Sequence, residues 1–235
     1  MVKITDSILA IDIGGSHIKS TILDGNGKLQ LGYVKVITPQ PATPEKVMTA
    51  IKKMVSDFPV YNKIAVGFPG YVKNGTVITA PNLDSQKWHN VNFSKLLTTA
   101  LNKPAKVIND ADMQGLGVAK GKGLEMMVTL GTGFGTALLR DGILLPHLEL
   151  AHHPLTKKQT YDDYIGEKAL KKIGVALWNE RLKKIIGILK IVFNYDTLYI
   201  GGGNAAQINF EPDENIRIVN NVDGIHGGAK LWAAK

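Results

Sequence analysis

Two stretches of this chain repeat one pattern, and the repetition constrains the fold more than any other feature of the sequence. In the first, the apolar run Ile8-Leu9-Ala10-Ile11-Asp12-Ile13 breaks at Gly14-Gly15 and resumes over residues 17–23. It then turns at Asp24-Gly25-Asn26-Gly27 and continues as a third strand through Val36. In the second, Met126-Met127-Val128-Thr129-Leu130 breaks at Gly131-Thr132-Gly133-Phe134-Gly135, resumes over residues 136–139 and turns at Asp141-Gly142. Two strand–glycine turn–strand–turn–strand units, about 115 residues apart, predict a duplicated α/β fold with two similar domains facing a cleft.

The rest of the chain fits that outline. Pro44 opens an amphipathic helix that runs to about residue 57, with Val47, Ile51, Met54 and Val55 on one face. Residues 63–66 form a strand that ends at Gly67-Phe68-Pro69-Gly70. A helix over residues 175–193 precedes a strand, Thr197-Leu198-Tyr199-Ile200, which runs into Gly201-Gly202-Gly203. No Pro, Gly or Ser-rich linker separates the halves. The expected domains are therefore 1–107 and 108–235, joined by a hinge.

Composition narrows the class. Hydrophobic residues make up 44% of the 235 positions and charged residues 20%, which excludes a disordered chain. No apolar run approaches the roughly 18 residues of a membrane span, and the opening MVKITDSILAIDIGG lacks the shape of a signal peptide. With no cysteine, disulfides, thiolate metal sites and cysteine nucleophiles are excluded. The expectation is a cytoplasmic protein without a membrane partner.

Charge is uneven. Residues 1–107 carry 13 basic and 6 acidic side chains, whereas residues 108–235 carry 15 and 14. A basic half suits a polyanion such as nucleic acid, an anionic membrane or a phosphate chain; it also serves solubility. All 13 basic residues of the first half are Lys, only three Arg occur in the chain, and aromatics are 7%. Base readout and stacking on nucleic acid want the opposite, so no nucleic-acid partner is expected.

Three glycine clusters each follow a strand: Gly14-Gly15, Gly131-x-Gly133-x-Gly135 and Gly201-Gly202-Gly203. Glycine lets backbone N–H groups approach a phosphate, and Ser16 and Thr132 place hydroxyls beside two of these turns. None has the Walker spacing. The middle one is not G-x-G-x-x-G and leads into a strand, which disfavours a dinucleotide fold. Val107-Ile108-Asn109-Asp110-Ala111-Asp112 delivers carboxylates to a strand end, with a helix expected from Met113. Asp112 reads as the N-cap of that helix, and Asp110 as a general base for phosphoryl transfer. Glu149-x-x-His152 has the spacing to bridge neighbouring sugar hydroxyls, although such a pair is more often a salt bridge.

In order along the chain, these motifs resemble the ROK sugar kinases of the sugar kinase–Hsp70–actin superfamily. The resemblance rests on Asp12-Ile13-Gly14-Gly15-Ser16-His17-Ile18-Lys19, the Asn109–Asp112 run, Leu130-Gly131-Thr132-Gly133-Phe134-Gly135, Glu149-Leu150-Ala151-His152 and Ile200-Gly201-Gly202-Gly203. The polyphosphate glucokinase branch is similar also in Gly67-Phe68-Pro69-Gly70, Asn82-Leu83-Asp84 with Trp88, and Tyr161-Asp162-Asp163-Tyr164-Ile165-Gly166. The resemblance implies a duplicated actin-like ATPase (ribonuclease H-like) fold and transfer of phosphate to the 6-hydroxyl of glucose or a similar hexose. Polyphosphate is the implied donor, with ATP as a second one; a strictly ATP-dependent hexose kinase and a non-catalytic sugar sensor are the alternatives.

It further implies that Asp110 is the catalytic base and that Asn109, Glu149 and His152 hold the sugar, with Asn82 and Glu167 as further candidates. Asp12 would orient Mg²⁺ through water. Phosphate contacts would come from Asp12, Gly14, Gly15, Ser16 and Lys19, from Gly131, Thr132, Gly133 and Gly135, and from Gly201 and Gly202. Many family members carry a cysteine-rich zinc motif after the Glu/His segment; without cysteine no zinc is expected here. Ala151 stands where the family usually has Gly, and His153 replaces a common Met. A homodimer is expected by the same analogy.

Overall fold

Alternation along one strand organises the first half of the molecule. In β1 (Ser7–Ile13), Leu9, Ile11 and Ile13 enter one core cluster, while Ile8 and Ala10 enter another on the opposite face. Asp12 shares the parity of Ile8 and Ala10, so its carboxylate belongs to that second face. The computed structural model describes residues 6–220 and 224–233.

β1 pairs antiparallel with β2 (His17–Asp24), which pairs antiparallel with β3 (Val34–Ile37). On its other side β1 pairs parallel with β4 (Lys63–Phe68), reached through α1 (Pro44–Val55). Thr43 caps α1 by accepting the Lys46 N–H, and Pro44 pre-sets its first turn. A small sheet follows, formed by β5 (Val72–Lys73), β6 (Thr76–Val77) and β7 (Val91–Asn92), with α2 (Ser85–Trp88) between its last two strands. The Trp88 ring packs edge-on against Phe68 and Phe93 at 4.8 and 4.9 Å, and its N–H donates to the Ala42 carbonyl at 2.7 Å. These contacts pin the loop that carries Asn82. After α3 (Phe93–Leu101), β8 (Ala105–Asn109) joins β4 in parallel and leads directly into α4 (Asp110–Val118).

The second half repeats this plan. β9 (Leu124–Leu130), β10 (Phe134–Arg140) and β11 (Ile143–Leu144) form the antiparallel meander. A 3₁₀ turn, Leu150–His152, precedes α5 (Tyr161–Ile165) and α6 (Glu167–Phe193). Gly174, at φ 79°, breaks the helical path of α6, so the predicted start near residue 175 marks its second segment. β12 (Thr197–Gly201) and β13 (Ile216–Ile218) add two parallel strands, and α7 (Gly227–Ala233) ends the described chain.

The two five-stranded sheets have one order, β3-β2-β1-β4-β8 and β11-β10-β9-β12-β13, with the same pattern of parallel and antiparallel neighbours. The predicted duplication is therefore present at the level of topology. Its boundary is not at residue 107. One unit comprises Met1–Gly117 with Ile225–Lys235, and the other comprises Val118–Gly224. A cut at 107 would split β8, the edge strand of the first sheet. Met113 of α4 and Ala229 of α7 are both buried against Ala10 and Ala65 on the second face of that sheet. Among the described residues no helix is long and apolar enough to cross a membrane.

Candidate active site

In the first unit, parallel register brings three strand ends to one edge: Asp12 aligns with Gly67, and Gly67 with Ile108. Ligands of open α/β sheets bind at this carboxyl edge. Asn109 is the true cap of α4. Its Oδ1 accepts the Ala111 and Asp112 N–H groups at 2.8 and 3.2 Å, and its Nδ2 donates to the Gly70 carbonyl at 3.1 Å. The expected cap, Asp112, lies inside the helix instead, because α4 starts at Asp110 rather than Met113. Asn109 is buried, and its amide is engaged in this way through Oδ1 and one N–H of Nδ2.

Asp110 stands at the first turn of α4 and accepts the Ala111 N–H at 2.9 Å. Burial, then the Asp12 charge, lifts its carboxyl to about 7; the Ala111 N–H opposes the rise and Asp112 adds to it. Asp12 is itself raised, chiefly by burial, against the pull of Lys19. Lys19 lies directly across the β1–β2 hairpin from it. A carboxyl poised near neutrality is the property a general base needs.

The turn carrying Gly14, Gly15 and Ser16 is closed by the Gly14 N–H donating to the His17 carbonyl at 2.9 Å. Thr38 braces it, its hydroxyl donating to the Gly14 carbonyl at 2.6 Å and its N–H to Ser16 at 3.0 Å. A Cβ on Gly15 would lie 3.3 Å from the Asn82 carbonyl. The backbone of Asn82 is thus brought against the first glycine turn, with its side chain exposed.

In the second unit, Thr129 and Gly201 are register partners, so the turns at 131–135 and 201–203 leave the same sheet edge. The Gly131 carbonyl accepts the Glu167 N–H at 3.0 Å and the Asn204 amide at 3.1 Å. The Phe134 N–H donates to Asp162 at 2.6 Å. Gly135 lies within β10, opposite Thr129. Gly202 has a structural reason of its own: at φ 92°, a Cβ there would sit 2.2 Å from the Leu130 carbonyl. Gly201 packs closely on Met127 and Val219.

The predicted sugar pair is assembled. One Glu149 oxygen lies 3.5 Å from His152 Nε2, and the other lies 2.8 Å from Nε2 of His147, a nearly buried side chain. Glu167 is not added to this pair. Its carboxylate forms an ion pair with Lys171 one helical turn on, at 2.5 Å, while its N–H holds the glycine turn. Sequence reasoning missed Thr38, His147, Asp162 and Asn204 as supports. Only Asp162 carried a visible signal, the Asp162-Asp163 pair inside a resembling stretch.

Residues 8–148, more than half of the chain, match the ROK family. The chain belongs to the ROK family. It is 33% identical over 202 residues to the polyphosphate glucokinase of Mycobacterium leprae, covering 82% of this chain and 62% of that one. It is 32% identical over 207 residues to that of Mycobacterium tuberculosis (strain ATCC 25618 / H37Rv), covering 84% and 77%. The chain thus spans under two thirds of the M. leprae protein. Among solved structures, the inorganic polyphosphate/ATP-glucomannokinase of Arthrobacter sp. strain KM superposes with a TM-score of 0.87 at 32% identity, covering 97% of this chain and 98% of that one. The ROK chain therefore has the duplicated actin-like fold that its two matching sheet orders express.

Proposed function

We propose that this ROK chain is a phosphotransferase that moves the terminal phosphoryl group of polyphosphate, with ATP as a second donor, to the 6-hydroxyl of glucose or a similar hexose. The observation that carries the reading is Asp110: a carboxyl at a strand's carboxyl edge, lifted to about 7, in a chain of this family. The 6-hydroxyl oxygen attacks the terminal phosphorus while Asp110 takes its proton. A P–O bond forms, the bridging P–O bond of the donor breaks, and the shortened donor leaves with the electron pair. The donors named for the M. leprae and Arthrobacter proteins support polyphosphate here.

In the second unit, Glu149 and His152 are assigned to the sugar hydroxyls; the backbone of 131–135 is assigned to phosphate oxygens, with Gly14, Gly15, Ser16 and Lys19 assigned likewise in the first. Asn82 is a further sugar candidate, and Asn109 supports Asp110. The oxygen donors at the β1 and β8 ends suit a hard cation such as Mg²⁺, and charge from a cation would offset the burial that raises Asp12 and Asp110. No group of three or more metal-ligating side chains occurs among the described residues. Asp12 would hold such a cation through water. Bound there, Mg²⁺ would neutralise charge on the phosphoryl oxygens. A cytoplasmic homodimer completes the proposal, and sedimentation of the purified protein tests the dimer.

The deciding experiment supplies glucose with polyphosphate or ATP as the sole donor and measures glucose 6-phosphate. Product from polyphosphate is expected. Product from ATP alone would overturn the polyphosphate reading, and glucose binding with no product from either donor would make the chain a sensor.

A further inference from the structure

The segment 160–167 has no role in the chemistry above, yet it wraps the second glycine turn from several sides. Asp162, in α5, accepts the Phe134 N–H through Oδ1 at 2.6 Å. At Gly133 the same carboxylate fills the space of a side chain: a Cβ there would lie 2.8 Å from Oδ1 and 3.0 Å from Oδ2. The preceding residue, Tyr161, stacks on Phe134 with ring centroids 5.2 Å apart. Four residues on, a Cβ at Gly166 would fall 2.9 Å from the Thr132 carbonyl, and the Glu167 N–H donates to Gly131 and Thr132. The contacts are specific to one of two adjacent carboxylates. Asp163 turns the other way, accepting the N–H and hydroxyl of Thr160 in a capping box.

α5 also packs on the 3₁₀ turn that carries His152, and the Tyr161 N–H donates to the His153 carbonyl at 3.3 Å. Burial raises the Asp162 carboxyl, the Phe134 N–H opposes that rise, and the charges of His152 and Glu149 act on it in opposite senses. One short helix therefore touches both the glycine turn and the Glu149–His152 pair.

We propose that Asp162 is a positioning residue for the phosphoryl donor: its carboxylate, seated at Gly133 and bonded to the Phe134 N–H, fixes the backbone of 131–135 in the shape that receives phosphate. The proposal rests on the phosphotransferase reading for its substrate and on geometry alone for its effect on the turn. The Cβ-free Gly133 is what lets the carboxylate come so close.

The test compares Asp162→Ala, Asp162→Asn and Gly133→Ala with the unsubstituted chain, and uses Asp163→Ala as the control on the same helix. Amide hydrogen exchange over 131–135 is read without substrates. It is expected to quicken roughly tenfold or more in Asp162→Ala and Gly133→Ala and to recover in Asp162→Asn, whose amide oxygen still accepts the Phe134 N–H. Kinetics should show the donor KM raised about tenfold in the first two variants, with the glucose Kd measured without donor changed by less than about threefold. Asp163→Ala should lower Tm and leave both donor KM and exchange at 131–135 unchanged. Unchanged exchange in both Asp162→Ala and Gly133→Ala would overturn the proposal, as would equal loss of donor and glucose affinity. If Asp162→Ala does not fold, Asp162→Asn and Gly133→Ala decide. Should the unsubstituted chain transfer no phosphate, the functional reading fails, while the exchange data still report on the turn.

Discussion

The β1–β2 turn and the β9–β10 turn occupy the same place in two copies of one sheet, and they are built for different work. In the first, the penultimate strand residue is Asp12, and β8, two strands along the sheet, leads into Asp110 and Asp112 of α4. In the second, the penultimate residue is Thr129, and β13, the counterpart of β8, ends at Ile218 and is followed by Val219 and Asn220, with no carboxylate. The first turn is braced by a threonine hydroxyl from β3's far end, whereas the second is held by Asp162, Asn204 and the start of α6. Registers differ too: Ile13 pairs with Ile18, but Leu130 pairs with Phe134, so the second turn is one residue tighter. Duplication thus supplied two glycine turns at equivalent edges. Carboxylates cluster at the edge beside one, where the proposed proton transfer would use them. At the other, the Asp162 carboxylate is bound to a backbone N–H of the turn.

The sharpest way to break this contrast is Asp110→Asn. Removing the base should lower kcat by roughly 10²–10⁴-fold in a protein that stays folded. Retained activity would move the base elsewhere, with Asp112 the first suspect. The same variant tests the electrostatics. Asp110 is raised from 3.8 to about 7, so between those values the folded protein holds a proton that the unfolded chain has released. Stability must therefore fall as pH rises from about 4 to about 7. Above that window the whole penalty is present; below it there is none. In metal-free buffer Asp110→Asn should lose this slope and exceed the parent at pH 8 by on the order of 2 kcal/mol, after discounting for solvent that reaches the sheet edge. Parallel stability curves for the two proteins would show that the carboxylates of the first turn do not crowd one another.

Glu149→Gln probes the second unit in the same spirit. Its carboxylate lies 2.8 Å from His147 and 3.5 Å from His152, and the amide keeps the shape while losing the charge. Glucose KM should rise about tenfold with a smaller effect on kcat, the signature of lost ground-state binding. An unchanged KM would place Glu149 outside the sugar site and leave the Glu149–His152 contact a local brace.

The contrast also explains what could be read from residues alone. Periodicity and turn chemistry are local, so the strands, the long helix and both glycine turns were legible, as was the delivery of Asp110 to a strand end. The boundary at 107 failed because β8 looks like the opening of the second half, and only its pairing with β4 assigns it to the first. Asp112 was misread as a cap for a related reason: Asn109 caps from three residues earlier while also reaching Gly70, a contact across 39 positions. The ion pair of Glu167 with Lys171 is local, one helical turn apart, and was likewise open to inspection. His147 and Asp162 act through distances of folded geometry. Nothing around His147 distinguishes a buried support from an exposed polar residue, and the Asp162-Asp163 pair does not say which of the two faces the turn.

The smallest expected effect concerns charge. Counted by the observed units, Met1–Gly117 with Ile225–Lys235 carries 15 basic and 8 acidic side chains, and Val118–Gly224 carries 13 and 12. The asymmetry inferred from the halves of the sequence survives the corrected boundary, so it belongs to the folded unit that also holds the carboxylate-rich turn. That unit needs cations near its carboxylates if a phosphate chain is to approach them. Polyphosphate has about one charge per unit and covers more lysines than ATP does, so it displaces more counterions on binding. Between 50 and 200 mM salt its KM should therefore rise several-fold more steeply than that of ATP. Equal slopes for the two donors would mean that the lysines of the first unit serve solubility, and that the two units differ in their turns alone.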